Sequence, residues 1–416
     1  MDYFDFKNGE LYCEDCRVLD IEKEVGTPFY LYSAKTLERH FKAYEDALHG
    51  IPHLVCFAVK ANSNLAVLRF LGELGAGADI VSGGELFRAL KAGISPSRIV
   101  YSGVGKTGEE IKEALNSGVL MFNVESTGEL EKIGEVSRTI GKAAPISFRV
   151  NPDVDPKTHP YISTGLEENK FGLPVDEARR AYEYASRNEE FLIRGISCHI
   201  GSQLTEVSPF VDALKRVLSL VDELEKKGIK IEYLDMGGGL GIKYDNESPP
   251  LPEEYVKALK TTIGSRDLKL ILEPGRSICG NAGILVTKVL YKKKTPKKAF
   301  LVVDAAMNDL ARPSLYKAFH EIVPVVEQDA KMSTFDVVGP ICETGDFFAR
   351  SRSLPEVNPG DLLAIRSAGA YGFTMSSNYN SRPRVAEVMV YGDKFKVVRR
   401  RETFDDLIRG ETFFHE

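Results

Sequence analysis

The sequence predicts an α/β protein, a (β/α)8 TIM barrel followed by a C-terminal mainly-β domain. Three observations predict it. Eight short β-branched apolar runs alternate with amphipathic segments, polar residues stand at the ends of those runs, and past Gly275 the rhythm changes to strand after strand. At 416 residues the chain exceeds what one core usually holds, so two domains are expected.

In chain order, residues 1–25 hold a short strand candidate, Glu10-Leu11-Tyr12-Cys13, expected to join the β domain; 26–280 read as the barrel and 281–416 as the β domain. Ser33 is placed to cap a helix along which Leu37, Phe41, Tyr44 and Leu48 recur at helical spacing. The barrel strands are expected at 54–59, 79–81, 98–102, 120–124, 145–150, 193–199, 231–236 and 269–273. Helices between them are expected at 64–74, 84–93, 108–116, 128–140, 175–187, 207–227 and 253–263. The clearest later strands are 284–290, 299–303, 335–338, 361–365 and 386–390, and the lysines around Thr295-Pro296 read as a solvated hairpin tip.

A net charge of -6 gives no sign of nucleic acid or an anionic membrane as partner. Six cysteines in so long a chain do not form a disulfide framework, which fits a reducing compartment. Cys13-x-x-Cys16 invites a zinc reading, but no second pair or His cluster supplies further ligands, so no metal is expected. The acidic start Met1-Asp2-Tyr3-Phe4-Asp5 lacks the blocks of a signal peptide and no run is long enough to span a bilayer; a cytoplasmic protein is expected.

The polar strand ends carry the chemistry. Lys60 follows the first strand, Asp79 opens the second, Asn123 lies in the fourth, Arg149 in the fifth, His199 ends the sixth, Gly237-Gly238-Gly239 follow the seventh and Glu273 ends the eighth. In a barrel these positions face one pocket. A lysine ending a buried strand sits where desolvation favours a neutral amine, which attacks carbonyls and forms Schiff bases; the bland alternative is a lysine snorkelling to solvent. The glycine run can turn successive backbone N–H groups on an anion, with the Ser202 hydroxyl beside it, or can be only a tight turn. It is neither a dinucleotide fingerprint nor a Walker loop. Glu273 inside a barrel mouth needs a partner such as a protonated ring nitrogen or Arg276, and His199 offers a flat ring for stacking. An amine nucleophile, a phosphate nest, a stacking imidazole and a carboxylate for a ring nitrogen together describe pyridoxal 5'-phosphate.

Phe57-Ala58-Val59-Lys60-Ala61-Asn62, Val81-Ser82-Gly83-Gly84-Glu85, His199-Ile200-Gly201-Ser202-Gln203, Gly237–Gly241, Glu273-Pro274-Gly275-Arg276, Cys342-Glu343-Thr344-Gly345-Asp346 and Gly369-Ala370-Tyr371-Gly372 resemble the diaminopimelate decarboxylase family, among the alanine-racemase-like (fold-type III) pyridoxal phosphate enzymes. The motifs stand in family order from about residue 10 to 400. The resemblance implies that Lys60 holds the cofactor, His199 stacks on its ring and Glu273 pairs with the ring nitrogen. Ser202, Gly238, Gly239 and the Gly275-Arg276 backbone would bind phosphate with Tyr371, and Asp79 would belong to the cofactor site. Arg276, Arg312 and Tyr316 resemble substrate-carboxylate contacts. Cys342 and Glu343 would reach in from the partner subunit of a homodimer. The family most often has serine where this chain has Thr344, a change that keeps the hydroxyl.

The activity so implied is decarboxylation of meso-2,6-diaminopimelate to L-lysine and CO2, the last step of lysine biosynthesis. Cys342 is favoured as the acid that returns a proton to Cα, with Lys60 and water as competitors. In isolation Cys342 reads equally as a small buried residue and Arg312 as a surface ion pair. The alternatives are a decarboxylase of ornithine, arginine or lysine, whose substrates lack the distal carboxylate that Arg312 and Tyr316 suit; a non-catalytic cofactor-binding homologue; and a racemase on the same barrel.

Overall fold

The computed structural model describes residues 2–154 and 170–414. The chain divides into two compact units, one of residues 38–243 and 247–278, the other of residues 1–37, 244–246 and 279–416.

The first unit is a closed barrel of eight parallel strands among the described residues. They are β1 (His53–Ala58), β2 (Gly77–Ile80), β3 (Ile99–Tyr101), β4 (Met121–Val124), β5 (Ala144–Asn151), β6 (Phe191–Ser197), β7 (Tyr233–Asp235) and β8 (Lys269–Leu272). Each pairs in parallel with its successor, and β8 closes on β1 through Leu270 to His53, Ile271 to Leu54 and Leu272 to Val55. Leu54, Cys56, Val100, Met121, Tyr233 and Ile271 form one buried cluster. Strands covered on both faces read as continuous apolar runs, which is why all eight were visible in the sequence.

The helices that follow β1 to β4 start on side-chain caps. Ser82 Oγ accepts from the Glu85 N–H at 3.2 Å, Thr107 and Glu110 form a reciprocal capping box, and Asn64 caps Leu65–Glu73. Such caps fix where each strand-to-helix loop ends, and therefore where the polar residues of that loop stand.

Two local expectations are corrected. The second strand covers Gly77–Ile80, so Asp79 lies near its end and does not open it. Small Gly77-Ala78 hide the strand start from an apolar-run reading, yet only glycine fits at 77, where a Cβ would meet the Arg98 carbonyl oxygen at 2.3 Å. The first strand stops at Ala58, and Lys60 occupies a 3-10 turn over Val59–Ala61.

In the second unit, the long strand Gly283–Lys294 pairs antiparallel with Phe29–Ser33, Ala299–Val303 and Leu362–Ile365. Met332–Val338 and Phe347–Pro355 extend the sheet on one side, Ala386–Tyr391 and Lys394–Arg399 on the other. Phe347–Pro355 and Lys394–Arg399 were not foreseen, because Arg350, Arg352, Lys394 and Lys396 break the apolar pattern of exposed edge strands. A three-stranded sheet of Phe4–Lys7, Glu10–Cys13 and Cys16–Arg17 packs Leu11, Cys13 and Cys16 into a core with Phe29, Ile284, Val286 and Val388. The Lys292–Lys298 stretch is the expected hairpin tip, with Lys292 on Glu356 and Lys298 on Asp336. No helix among the described residues is long and apolar enough to cross a membrane.

Candidate active site

Lys60, Asn123, Arg149, His199 and Glu273 line one cavity of about 400 Å³ in the barrel unit, together with the Ser102–Gly105 loop and Phe171. Each stands in the last three residues of a strand or within two residues past its end, so the barrel itself converges them.

The Lys60 amine is ion-paired with the Asp79 carboxylate, and its side chain keeps 37% of its exposure. The expected desolvated amine at the end of a buried strand is therefore not what the fold provides. The turn at 59–61 lifts the lysine out of the strand and onto an acidic partner that is itself 0% exposed.

His199 is held as a neutral ring. Its Nδ1 faces the Gly238 N–H at 3.2 Å, and because a backbone amide only donates, Nδ1 accepts and the proton sits on Nε2. Burial pushes its pKa well down, and the Arg149 and Lys60 cations push in the same direction.

Glu273 is 7% exposed, and its Oε1 has no hydrogen-bond partner among the described residues. Burial first, then the neighbouring Asp235 and Asp79 carboxylates, raise its pKa well above the usual range. Asp235, fully buried, is likewise raised, to about 6, chiefly by burial. It accepts from Asn123 Nδ2 at 2.9 Å and from the Gly237 N–H at 2.9 Å.

The glycine run is divided in its use. The Gly237 and Gly238 amides already bond Asp235 and His199, whereas the Gly239 N–H meets no acceptor among the described residues. The run cannot carry side chains: a Cβ would meet the Glu273 carbonyl oxygen at 2.3 Å from Gly238 and the Gly201 carbonyl oxygen at 2.5 Å from Gly239. Beside it Arg276 Nη2 donates to Ser202 Oγ at 3.1 Å, and a Cβ at Gly275 would meet the Ala61 and Ala58 methyls at 2.9 and 3.0 Å.

A buried carboxylate with an unused acceptor, a neutral ring and a lysine in one cavity, with an unpaired glycine amide beside them, fit a phosphorylated pyridine aldehyde. The ring nitrogen would answer Glu273, and the phosphate would take the Gly239 amide.

Sequence reasoning missed Glu125, Lys106, Glu129 and Asp235 behind this wall. Glu125 accepts from Arg149 Nη1 at 2.9 Å, the Gly103 N–H at 3.1 Å and the Gly172 N–H at 2.9 Å. Arg149 in turn donates to the His199 carbonyl at 3.3 Å. Lys106, its side chain 1% exposed, donates to the Gly103 and Asn123 carbonyls and to Glu129. Glu125 and Asp235, charged residues within or directly after apolar strand runs, were the available signal.

The remaining predicted residues belong to the β-rich unit. Arg312 starts the helix Arg312–Tyr316 and is 5% exposed. Cys342 and Glu343 are exposed, with the Cys342 N–H donating to Asn380 Oδ1 at 2.9 Å. Tyr371 adopts a left-handed backbone at φ 55°.

Residues 34–280 match the model of the pyridoxal-dependent decarboxylase family, pyridoxal binding domain. The chain is 55% identical over 412 residues to the diaminopimelate decarboxylase of Pseudomonas aeruginosa, covering 99% of each chain. Among solved structures, that of diaminopimelate decarboxylase from M. jannaschii in co-complex with L-lysine superposes with TM-score 0.95 at 39% identity, over 99% of this chain and 98% of that one. The Helicobacter pylori enzyme complexed with L-lysine gives TM-score 0.92 at 45% identity, over 94% and 98%. The chain, with a pyridoxal-binding barrel and full-length likeness to these enzymes, belongs to the diaminopimelate decarboxylases.

Proposed function

We propose that this protein decarboxylates meso-2,6-diaminopimelate to L-lysine and CO2, with Lys60, His199, Glu273 and Cys342 as its catalytic residues. The observation that carries the reading is the single cavity shared by Lys60, His199 and Glu273. Bound pyridoxal phosphate supplies an electron sink for the bond that releases CO2.

The chain's own residues do the rest. Lys60 is the residue that would hold the cofactor covalently, and Asp79 keeps its amine placed when it is released. Glu273, buried and acceptor-rich, holds a proton at the ring nitrogen, which is what lets the ring draw electrons. His199 offers its neutral face to the ring, since an imidazolium there would oppose a protonated pyridine. Ser202, Gly239, the Gly275-Arg276 backbone and Tyr371 bind the phosphate, while the Gly238 amide, spent on His199, shapes the loop beside it. Arg276, Arg312 and Tyr316 take the substrate carboxylates, and the two arginines suit a substrate with a carboxylate at each end.

Cys342 and Glu343, exposed in one chain, would complete the partner's site in a homodimer, with Cys342 returning the proton to Cα. The enzyme would work in the cytoplasm, with the barrel as cofactor-binding domain.

The test follows CO2 and lysine from meso-diaminopimelate against ornithine and lysine as substrates. Release at least about 100-fold faster from meso-diaminopimelate is expected, the cost of about 3 kcal/mol for a missing charged contact. Comparable rates on the three substrates would defeat the specificity. Lys60→Ala should lose both turnover and the visible cofactor band; a variant that keeps both would defeat the role of Lys60.

A further inference from the structure

Arg312 does not set its own direction. Its Nη1 lies 3.0 Å from His320 Nε2, and His320 Nδ1 lies 2.8 Å from the Arg366 carbonyl oxygen. A guanidinium only donates and a carbonyl only accepts, so one state of the imidazole satisfies both contacts. It is the neutral ring with the proton on Nδ1 and the lone pair of Nε2 turned to Arg312. His320 is 0% exposed, its ring is held through both nitrogens, and its backbone carbonyl accepts from Arg352 Nη1 at 2.9 Å.

Tyr244 completes the arrangement. The Arg312 guanidinium carbon sits 4.7 Å over the Tyr244 ring centroid, while His320 meets the same ring edge-on at 5.4 Å and 76°. His320 Nε2 meets one guanidinium nitrogen and the Tyr244 ring packs against the guanidinium carbon, so two separate contacts restrain the group. None of this belongs to the motifs that carried the sequence reading, since His320 stands beyond the short helix that bears Arg312 and Tyr244 lies far upstream.

We propose that His320 is a positioning residue for substrate selection, a neutral acceptor that, with Tyr244, aims Arg312 at the distal carboxylate of the substrate. The inference rests on the reading of Arg312 as a substrate-carboxylate contact. A bidentate guanidinium–carboxylate pair tolerates little misorientation, so losing the acceptor weakens binding without touching the reacting bond. Lysine helps to isolate the effect. It keeps the distal carboxylate that diaminopimelate has, whereas 1,5-diaminopentane has none.

The experiment compares the holoenzyme with His320→Phe, His320→Gln, Tyr244→Leu and Arg312→Lys, reading KM and kcat for meso-diaminopimelate and the inhibition constants of L-lysine and 1,5-diaminopentane. Phe keeps a ring against Tyr244 but has no acceptor; Gln places an oxygen where Nε2 was. His320→Phe should raise KM and the L-lysine constant about 10- to 100-fold, the worth of a hydrogen bond to a charged group, with kcat within about twofold and diaminopentane unaffected. His320→Gln should stay near the parent.

If His320→Phe does not fold, as a lost cofactor band would reveal, Tyr244→Leu carries the test with an expected rise of about 3- to 10-fold in the same two constants. The proposal is overturned if Arg312→Lys weakens L-lysine while His320→Phe, or in its place Tyr244→Leu, does not. It is overturned equally if His320→Gln fails as badly as His320→Phe, or if both inhibitors weaken together. If Arg312→Lys leaves KM and lysine binding unchanged, the assignment of Arg312 itself is wrong and the proposal falls with it.

Discussion

Lys106 is buried more completely than any other group of the site wall that carries a cation, and replacing it by Met isolates what that burial is worth. Its amine donates to the Gly103 carbonyl at 2.7 Å, the Asn123 carbonyl at 3.0 Å and Glu129 Oε1 at 2.7 Å, with side-chain exposures of 1% for Lys106 and 6% for Glu129. Methionine fills nearly the same volume and donates nothing. Two buried carbonyls and one carboxylate then lose their donor, and Glu129, whose pKa burial already raises against the pull of Lys106, is left without a counter-charge. Breaking a buried pair from one side costs about 3–5 kcal/mol. In a unit of this size each kcal/mol lowers the melting temperature by about 2–4 °C, so a fall of about 6–20 °C is expected. The loss of the visible cofactor band on heating is the assay, because Lys60, the residue that would hold the cofactor, belongs to the same unit as Lys106. Adding Glu129→Gln should recover part of the loss, since the amide oxygen can still accept from the Glu125 N–H, now at 2.9 Å from the carboxylate, and no stranded charge remains. A single variant that melts within about 2 °C of the parent, or a double variant no better than the single, would refute the reasoning.

Two further outcomes test separate parts of the structure. Burial raises the Asp309 pKa to about 7, so the folded protein keeps a proton there that the unfolded chain, titrating near 4, gives up. The stability this contributes is complete below about pH 4 and is lost as pH rises towards about 7. Asp309→Asn, which can still accept from the Ala306 N–H, should therefore flatten the fall in stability across that window; equal slopes in denaturant melts at pH 5 and 7.5 would contradict it. Gly238→Ala drives a methyl against the Glu273 carbonyl oxygen, backbone against backbone, at about 1–3 kcal/mol. Pyridoxal phosphate titrated into the cofactor-free variant should bind at least about fivefold more weakly, and unchanged affinity would mean that the glycine loop has more room than its contacts indicate.

Much of the fold was legible because a barrel strand is defined by its own residues. An interior run such as Leu54–Ala58 is apolar at every position, whatever its neighbours are, and the helix caps at Ser82 and Thr107 are local signals three residues long. Legibility failed where the structure depends on what lies opposite. Gly77 belongs to a strand through its pairing with Cys56, where the Arg98 carbonyl leaves no room for a side chain, and Phe347–Pro355 is a strand only because Met332–Val338 offers it a ladder.

The same distinction runs through the site. Lys60, His199 and Glu273 were visible because a polar side chain at the end of an apolar run has few structural explanations in a barrel. Their state was not visible. That His199 is neutral follows from a glycine amide donated by another strand's loop, and that Lys60 is paired follows from Asp79 across a strand boundary. Arg312 is the sharper case. In the sequence only the family resemblance singles it out as a cation suited to a carboxylate, and any guanidinium on that short helix would carry the same charge. Its direction is restrained by an imidazole and a phenol ring, neither of which bears charge. Charge is written in the sequence at the residue that carries it, whereas direction is supplied by neutral neighbours that only the fold brings together. Substitutions that alter substrate choice in this protein should therefore be sought at positions such as His320 and Tyr244 before they are sought at the arginine itself.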